Sequence, residues 1–156
     1  MRIRAFASVD DVADAIGQPV GPTDWLAVDE SRVREFADAT LDRQWIHVDQ
    51  GRAERGPYGG LIAHGYLTLS LIPWFADQLF DFRMFAHRLN YGLNRVRFPA
   101  AVRVGQRLRA HGSLASLEPH PLGRLLTTDY SLEIEGGDKP ACVAQTLSIL
   151  VESERG

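Results

Sequence analysis

The chain contains a single cysteine, Cys142, among its 156 residues. One cysteine excludes an intrachain disulfide and fits a reducing compartment, so we expect a cytoplasmic protein. Lysine is equally rare, because Lys139 is the only one and arginine supplies the other basic side chains. The formal net charge of −3 gives no electrostatic reason to expect binding to nucleic acid or to an acidic membrane.

Long apolar runs are also missing. The first six residues have no apolar core typical of a signal peptide, so we expect no leader sequence there. The most apolar segment, residues 61–80, is interrupted by polar side chains that include His64 and Asp77. This segment is too polar to span a membrane, and its pattern favours a buried central helix.

The remaining pattern is that of one soluble domain, which we expect to cover residues 1–156. The composition is ordinary, with 45% hydrophobic and 24% charged residues. Capping residues predict helix starts at Ser8, for a helix to about Ile16, and at Asp29 or Ser31 for a second helix. Residues 40–48 show no helical or strand periodicity, and Asp49 predicts one further turn through Arg55.

The second half of the chain predicts a helix followed by strands. We expect a long helix from about Leu61 to Leu79, weakened between Leu69 and Pro73 because proline removes one helical hydrogen bond. Four extended segments follow: Tyr91–Phe98, Gln106–Leu117, Arg124–Glu135 and Ala141–Glu152. Short turns between them predict an antiparallel meander. The fold class is therefore α+β, with a curved antiparallel sheet wrapped around a central helix, and its edge strands predict at least a homodimer.

Asp42 and His47 form the first candidate catalytic pair. They stand five residues apart in a segment that also carries Trp45 and Ile46, so it is not wholly exposed. Two partly buried hydrogen-bonding groups need partners, and one shared water would serve both. The alternative is a surface aspartate in a turn and a histidine bonded to a backbone carbonyl.

The segment Ala63–His64–Gly65–Tyr66 is the second candidate. The first turn of a helix has unpaired N–H groups, and a glycine there lets a substrate carbonyl approach the backbone closely. Such donors stabilise an oxyanion in thioester chemistry. The alternative, equally open on local grounds, is that Gly65 only permits close packing of the helix on the sheet.

Both segments resemble the MaoC-like dehydratases, the (R)-specific enoyl-CoA hydratase group of the hotdog superfamily. The stretch from Asp42 to Asp49, Asp-Arg-Gln-Trp-Ile-His-Val-Asp, is similar to the branch related to nodulation protein N in particular. Residues 59–70, Gly-Gly-Leu-Ile-Ala-His-Gly-Tyr-Leu-Thr-Leu-Ser, and residues 89–99, Leu-Asn-Tyr-Gly-Leu-Asn-Arg-Val-Arg-Phe-Pro, extend the similarity over most of the domain.

The resemblance implies a hotdog fold and specific roles. Asp42 and His47 would activate the water that adds to C3 of a trans-2-enoyl thioester, and the amide of Gly65 would bind the thioester oxygen. The substrate would carry coenzyme A or an acyl carrier, with no further cofactor. Gln44–Trp45 and Pro73 depart from the wider family, in which a serine at the latter position orients the aspartate, and Ser70 is a candidate substitute.

Other residues carry weaker hypotheses. Ala63, His64, Tyr66 and Ser70 are candidates for the substrate pocket, although His64 better fits a hydrogen-bonding role at the helix start. Arg95 and Arg97 would share one strand face and are candidates for binding the phosphates of coenzyme A, with solvated arginines as the alternative. The remaining histidines show no metal-ligand spacing, and we expect no metal site.

Two other functions compete with the hydratase. Hotdog thioesterases commonly place an acidic residue on the central helix, whereas the expected first turns here carry no Asp or Glu. A non-catalytic acyl-thioester binding subunit is the second alternative, and the intact pair of Asp42 and His47 argues against it.

Overall fold

A computed structural model describes residues 3–152. Helix α1 is Val9–Asp14, and the hydroxyl of Ser8 accepts a hydrogen bond from Asp11 N, which confirms the predicted cap. Helix α2 is Glu30–Thr40, and Asp29 caps it by accepting from Arg32 N. Helix α1 ends two residues before the expected Ile16, since the chain turns at Gly17, whose φ is 77°.

The segment expected to be irregular contains one helical turn. Helix α3 is Trp45–Val48, and helix α4 is Gln50–Glu54. The carboxylate of Asp49 accepts from Arg52 N at 3.0 Å, which confirms the predicted further turn. No capping side chain precedes α3, so the sequence carried no local signal for it.

The central helix is shorter than expected and is divided in two. Helix α5 is Gly65–Ser70 and helix α6 is Ile72–Leu79. The residues before α5 are extended, because Ile62 forms a β-bridge with Arg103 and Ala63 N donates to Val102 O at 2.7 Å. The division falls inside the predicted weak stretch, with Pro73 in the first turn of α6, where its missing N–H costs least.

Four long strands build the main sheet: β5 (His87–Arg97), β6 (Arg107–His120), β7 (Gly123–Ile134) and β8 (Cys142–Val151). Strands β6, β7 and β8 form the expected antiparallel meander, but β5 pairs with β8 rather than with β6. The short strands β2 (Pro19–Val20) and β3 (Leu26–Ala27) pair with β6. Strand β1 (Arg4–Ala5) pairs in parallel with β4 (Phe80–Asp81).

The core lies between the divided helix and one face of this sheet. Burial alternates along β6 and β7, as expected for strands with one covered face. Phe75 and Leu79 of α6 are fully buried against this face, together with Leu108, Leu114 and Leu132. Burying each of these side chains stabilises the fold by about 1.5–3 kcal/mol. The expected α+β fold, a helix covered by an antiparallel sheet, is confirmed.

Strand β5 forms one edge of the sheet and is exposed along most of its length. Leu89, Tyr91 and Leu93 are 40%, 58% and 48% exposed, which is unusual for three apolar side chains in one short stretch of strand. Between residues 3 and 152, no helix is long and apolar enough to cross a membrane.

Candidate active site

Asp42 lies on an exposed loop that leaves the end of α2 sharply. Leu41 ends the helix with a left-handed backbone, φ 62°, a conformation that costs a non-glycine residue of the order of 1–2 kcal/mol. The hydroxyl of Thr40 donates to Phe36 O at 2.7 Å and holds the end of the helix. Strained backbone at a solvent-facing loop is often found at functional sites, and here it directs the chain into Asp42.

His47 is buried in α3 and has a defined tautomer. Its Nδ1 lies 2.7 Å from Ile62 O, and a carbonyl oxygen only accepts, so Nδ1 carries the proton and Nε2 is free to accept one. Burial lowers the pKa of His47 below its usual 6.5, and a charge on His64 lowers it further, while the Ile62 carbonyl and Asp42 act in the opposite direction. The imidazole is therefore neutral near pH 7 with a basic nitrogen available.

Asp42, His47 and His64 form one cluster. A carboxylate oxygen of Asp42 and one ring nitrogen of each histidine all lie within 4.8 Å of one another. The two imidazoles are stacked, with ring centroids 3.7 Å apart and planes 24° apart. Lone pairs of stacked rings lie in nearly parallel planes and do not converge on one point, as tetrahedral metal coordination requires. The cluster suits hydrogen bonding to a small molecule better than binding a metal ion.

Gly65 and His47 line the same cavity, of about 450 Å³. Its walls come from α3, the start of α5 and the segment that follows β5, and they include Tyr58, Thr68, Phe98 and residues 99–102. Helix α5 has no side-chain cap, and no backbone acceptor for the N–H of Gly65 is found among residues 3–152. A neutral base and a free amide donor therefore face one space.

Only glycine fits at position 65. A Cβ atom there would lie 2.8 Å from the ring of Phe98, well inside van der Waals contact. The ring of Tyr66 packs edge-on against Phe98 at 6.0 Å between centroids, which keeps Phe98 in place. The glycine permits the close packing of Phe98, and its place at the start of α5 leaves its N–H without a backbone acceptor among the described residues.

Comparison with known proteins identifies the family. The model of the MaoC-like domain family matches residues 11–120. The chain belongs to the MaoC-like domain family.

Two curated relatives support the assignment. The chain is 47% identical over 146 residues to 3-hydroxyacyl-thioester dehydratase Z of Mycobacterium tuberculosis, covering 93% of this chain and 97% of the relative. It is 40% identical over 153 residues to nodulation protein N of Rhizobium leguminosarum, covering 92% and 91% of the two chains.

A solved structure shows the same fold. The (R)-hydratase of A. caviae, described as involved in PHA biosynthesis, superimposes with a TM-score of 0.71 and 21% identity, covering 86% of this chain and 96% of the hydratase. The MaoC-like assignment and the hotdog fold predicted from the sequence are confirmed.

The structure does not bring every predicted pocket residue of the MaoC-like domain to this cavity. Ala63 lines it, whereas His64 is buried behind His47 and Tyr66 is 69% exposed. Asp42 does not line it either, although one of its carboxylate oxygens lies within 4.8 Å of a ring nitrogen of His47. The hydroxyl of Ser70 donates to Tyr66 O at 2.7 Å, and Ser70 lines a second cavity, so it does not approach Asp42.

The sequence patterns missed two parts of this site. The cavity wall at residues 98–102 was not predicted, because those residues are brought to Gly65 by long-range contacts, among them the bond from Ala63 N to Val102 O. The contact between the two histidines was also missed, since 17 positions separate them in the chain. The similarity of residues 89–99 to the MaoC-like dehydratases was the one sequence signal that pointed to this wall.

Two further predictions concern residues outside the cavity. Arg95 and Arg97 keep a continuous register with β8 and share one exposed face of β5, as expected. Neither forms an ion pair with a carboxylate of the described residues. Cys142 is buried, and burial raises its pKa to about 11, which leaves the thiol protonated and unreactive near neutral pH.

Proposed function

We propose that this protein adds water to trans-2-enoyl thioesters to give (R)-3-hydroxyacyl thioesters, or catalyses the reverse dehydration. The observation that carries the proposal is the neutral imidazole of His47 beside the carboxylate of Asp42 and across a cavity from the free amide of Gly65. The names of the curated relatives and of the hydratase with the same fold support this reaction class.

In this mechanism, His47 and Asp42 bind the reacting water together. Nε2 of His47 accepts one proton of the water, because Nδ1–H is committed to the Ile62 carbonyl. The carboxylate of Asp42 accepts a hydrogen bond from the other hydrogen and orients the oxygen toward C3. Hydroxide equivalent adds to C3, and the proton held by the pair is returned to C2, so the atoms of one water are consumed. Dehydration follows the same steps in reverse.

The amide of Gly65 serves the thioester oxygen. When water adds to C3, negative charge accumulates on that oxygen as an enolate, and a fixed N–H donor stabilises it. The missing side-chain cap of α5 leaves this donor available. The absence of a Cβ atom allows both Phe98 and the thioester to approach the backbone.

Hydrolysis of the thioester is the competing reaction. The first turns of α5 and α6 carry no acidic residue, and Asp77, near the end of α6, is paired with Arg88 at 2.8 Å. No carboxylate of the central helix is therefore available to assist attack at the thioester carbon.

Crotonyl-CoA distinguishes the three functions in one assay. Incubation with the purified protein should reduce the enoyl absorbance without releasing free thiol. Thiol release would instead identify a thioesterase, and the absence of both signals would identify a binding subunit. Analysis of the product on a chiral column should give the (R)-3-hydroxy isomer, and the (S) isomer would contradict the assigned stereochemistry.

Substitution of the pair tests the assigned roles. Asp42→Asn and His47→Gln should each lower kcat by about 10²–10⁴, because each removes one acid–base group at nearly constant shape. Asp138→Asn and His111→Gln are matched controls, since Asp138 is exposed and His111 of β6 bonds to Glu133 of β7, and both should retain full activity. Full turnover by either variant of the pair would remove that residue from the mechanism.

We also propose that the protein is a homodimer formed through β5. This edge strand has unpaired backbone groups on one side and exposes the apolar side chains of Leu89, Tyr91 and Leu93. Antiparallel pairing with the same strand of a second copy would pair these backbone groups and bury these apolar side chains. An isologous contact of this kind closes as a dimer. Sedimentation should give twice the 17.4 kDa chain mass, and a monomer would contradict this assembly.

The proposed substrate is an acyl thioester of coenzyme A or of an acyl carrier. Arg95 and Arg97 carry unpaired positive charge on the exposed face of β5 and are our candidates for its phosphate groups. No cofactor enters the proposed chemistry, which needs only water and the three groups described.

A further inference from the structure

His64 has a defined hydrogen-bonding state. It is 2% exposed, and its Nε2 lies 2.9 Å from the main-chain oxygen of Asp42. Because a carbonyl oxygen only accepts, Nε2 carries a proton and donates it in this bond. Its Nδ1 is buried and has no hydrogen-bond partner among the described residues. The one polar contact of this buried ring is therefore made to the residue that we assign to catalysis.

The ring of His64 also lies against two aromatic rings. It stacks on His47 with ring centroids 3.7 Å apart, and the ring of Phe36 lies 5.0 Å away at a tilt of 55°. His47 itself is held in its own plane by the bond to Ile62 O. His64 thus touches both members of the pair, the backbone of Asp42 and the ring of His47.

Asp42 has few other anchors. It is exposed, it follows the strained Leu41, and its own N–H is 3.5 Å from the hydroxyl of Thr40, at the limit of a hydrogen bond. The bond from His64 spans 22 positions and is the contact that ties this loop to the start of α5. A misplacement of about 1 Å at a catalytic group can cost about 10² in rate, so such an anchor has consequences for turnover.

We propose that His64 is a positioning residue, which fixes the Asp42 loop through its N–H and the ring of His47 through its face. The proposal rests on the proposed roles of Asp42 and His47. It assigns to His64 neither contact with substrate nor a proton-transfer step, in agreement with its absence from the cavity wall.

Two substitutions separate the two contacts. His64→Gln retains an N–H donor of similar reach toward the Asp42 carbonyl but loses the flat ring. His64→Phe retains a ring for stacking but loses the donor. His111→Gln is the matched control, because that ring lies on β6 and lines neither cavity. We expect His64→Phe to lower kcat by about 10–10² with little change in KM, and His64→Gln to retain more of kcat.

A titration provides a readout that a purely structural role would not change. The ionisable groups around His47 are Asp42, His64 and Tyr58, which lines the same cavity. When His64 is protonated, its charge lowers the pKa of His47, so both variants should raise that pKa when it is followed by NMR of the ring protons. The acid limb of the rate profile should move to higher pH with it.

The outcomes are distinguishable from failure of the proposed function. If the wild-type protein does not turn over crotonyl-CoA, the NMR titration still reports whether His64 acts on His47. A larger loss of kcat in His64→Phe than in His64→Gln, with KM and the control unchanged, supports the positioning role, and a rise of the His47 pKa in both variants supports the contact between the two rings. An unchanged pKa, or kcat within twofold of wild type in His64→Phe, overturns it. Equal losses of kcat in the two variants that merely follow their losses in melting temperature overturn it also.

Discussion

The helix starts of this protein are of two kinds. Helices α1, α2 and α4 are each capped by their own side chain, from Ser8, Asp29 and Asp49 respectively. Helix α5 begins after His64, whose ring makes no bond to the helix and turns instead to Asp42. The capped starts satisfy their backbone donors locally, whereas the start of α5 leaves donors directed at a cavity.

The capped helix starts contribute to the stability of the fold, whereas the uncapped start of α5 leaves a donor available to a ligand. A capped start contributes about 0.5–2 kcal/mol to folding and gains nothing from a ligand. The uncapped start of α5 forgoes that contribution, and its position is fixed by other contacts, namely the packing of Phe98 on Gly65 and the backbone bond of Ala63 to Val102. A donor left free in this way is available to a substrate oxygen.

Removing the N–H of Gly65, the free donor of α5, should have the largest effect on turnover. We expect Gly65→Pro, made together with Phe98→Leu to create space, to lower kcat by about 10²–10³ because the oxyanion donor is lost. Proline is tolerated at the first position of a helix, and the extended His64, with φ −61° and ψ 138°, is compatible with a following proline. The measurement is steady-state turnover of crotonyl-CoA.

Gly65→Ala in the same Phe98→Leu background is the matched control, since it adds a Cβ atom but keeps the N–H. If the alanine and proline variants lose activity equally, crowding rather than the donor explains the loss. Ser8→Ala provides the control at a capped start. It should lower the free energy of unfolding by about 0.5–2 kcal/mol and leave turnover unchanged.

A smaller effect is expected from pH, because the pKa of His47 in the cavity and the pKa of Asp29, the cap of α2, lie in different ranges. Burial holds the pKa of His47 below 6.5, so kcat/KM should be constant above that value and fall about tenfold per pH unit only below the lowered pKa. The N–H of Arg32 lowers the pKa of Asp29 below 3.8, so its stabilisation is present above 3.8 and is lost as pH falls through the lowered value.

Activity should therefore be lost while the fold is intact. Parallel measurements of kcat/KM and of far-ultraviolet circular dichroism between pH 8 and pH 3 would check this, since they report the site and the helices separately. An acid limb at or above pH 6.5 would contradict the buried, neutral state of His47.

The residues that the sequence predicted best are those with local signals. The caps at Ser8, Asp29 and Asp49 follow from side chains that bond two or three positions away, and the weakness near Pro73 follows from a missing N–H. The start of the central helix was predicted four positions too early. The short and mostly apolar run Leu61–His64 is compatible both with a helix and with a buried extended segment. Its β-bridge to Arg103 depends on a residue about 40 positions away.

By itself, the sequence identified the groups that we propose to carry the chemistry: an aspartate, an imidazole and a glycine amide at recognisable spacings. Tertiary structure decided how they meet. The bonds of residues 62–63 to residues 102–103 hold the segment after β5 beside the start of α5, where Phe98 packs on Gly65, and the fold stacks His64 on His47. The physical reason is that capping and helix breaking act within a few residues, whereas burial, stacking and pKa depend on neighbours that are distant along the chain.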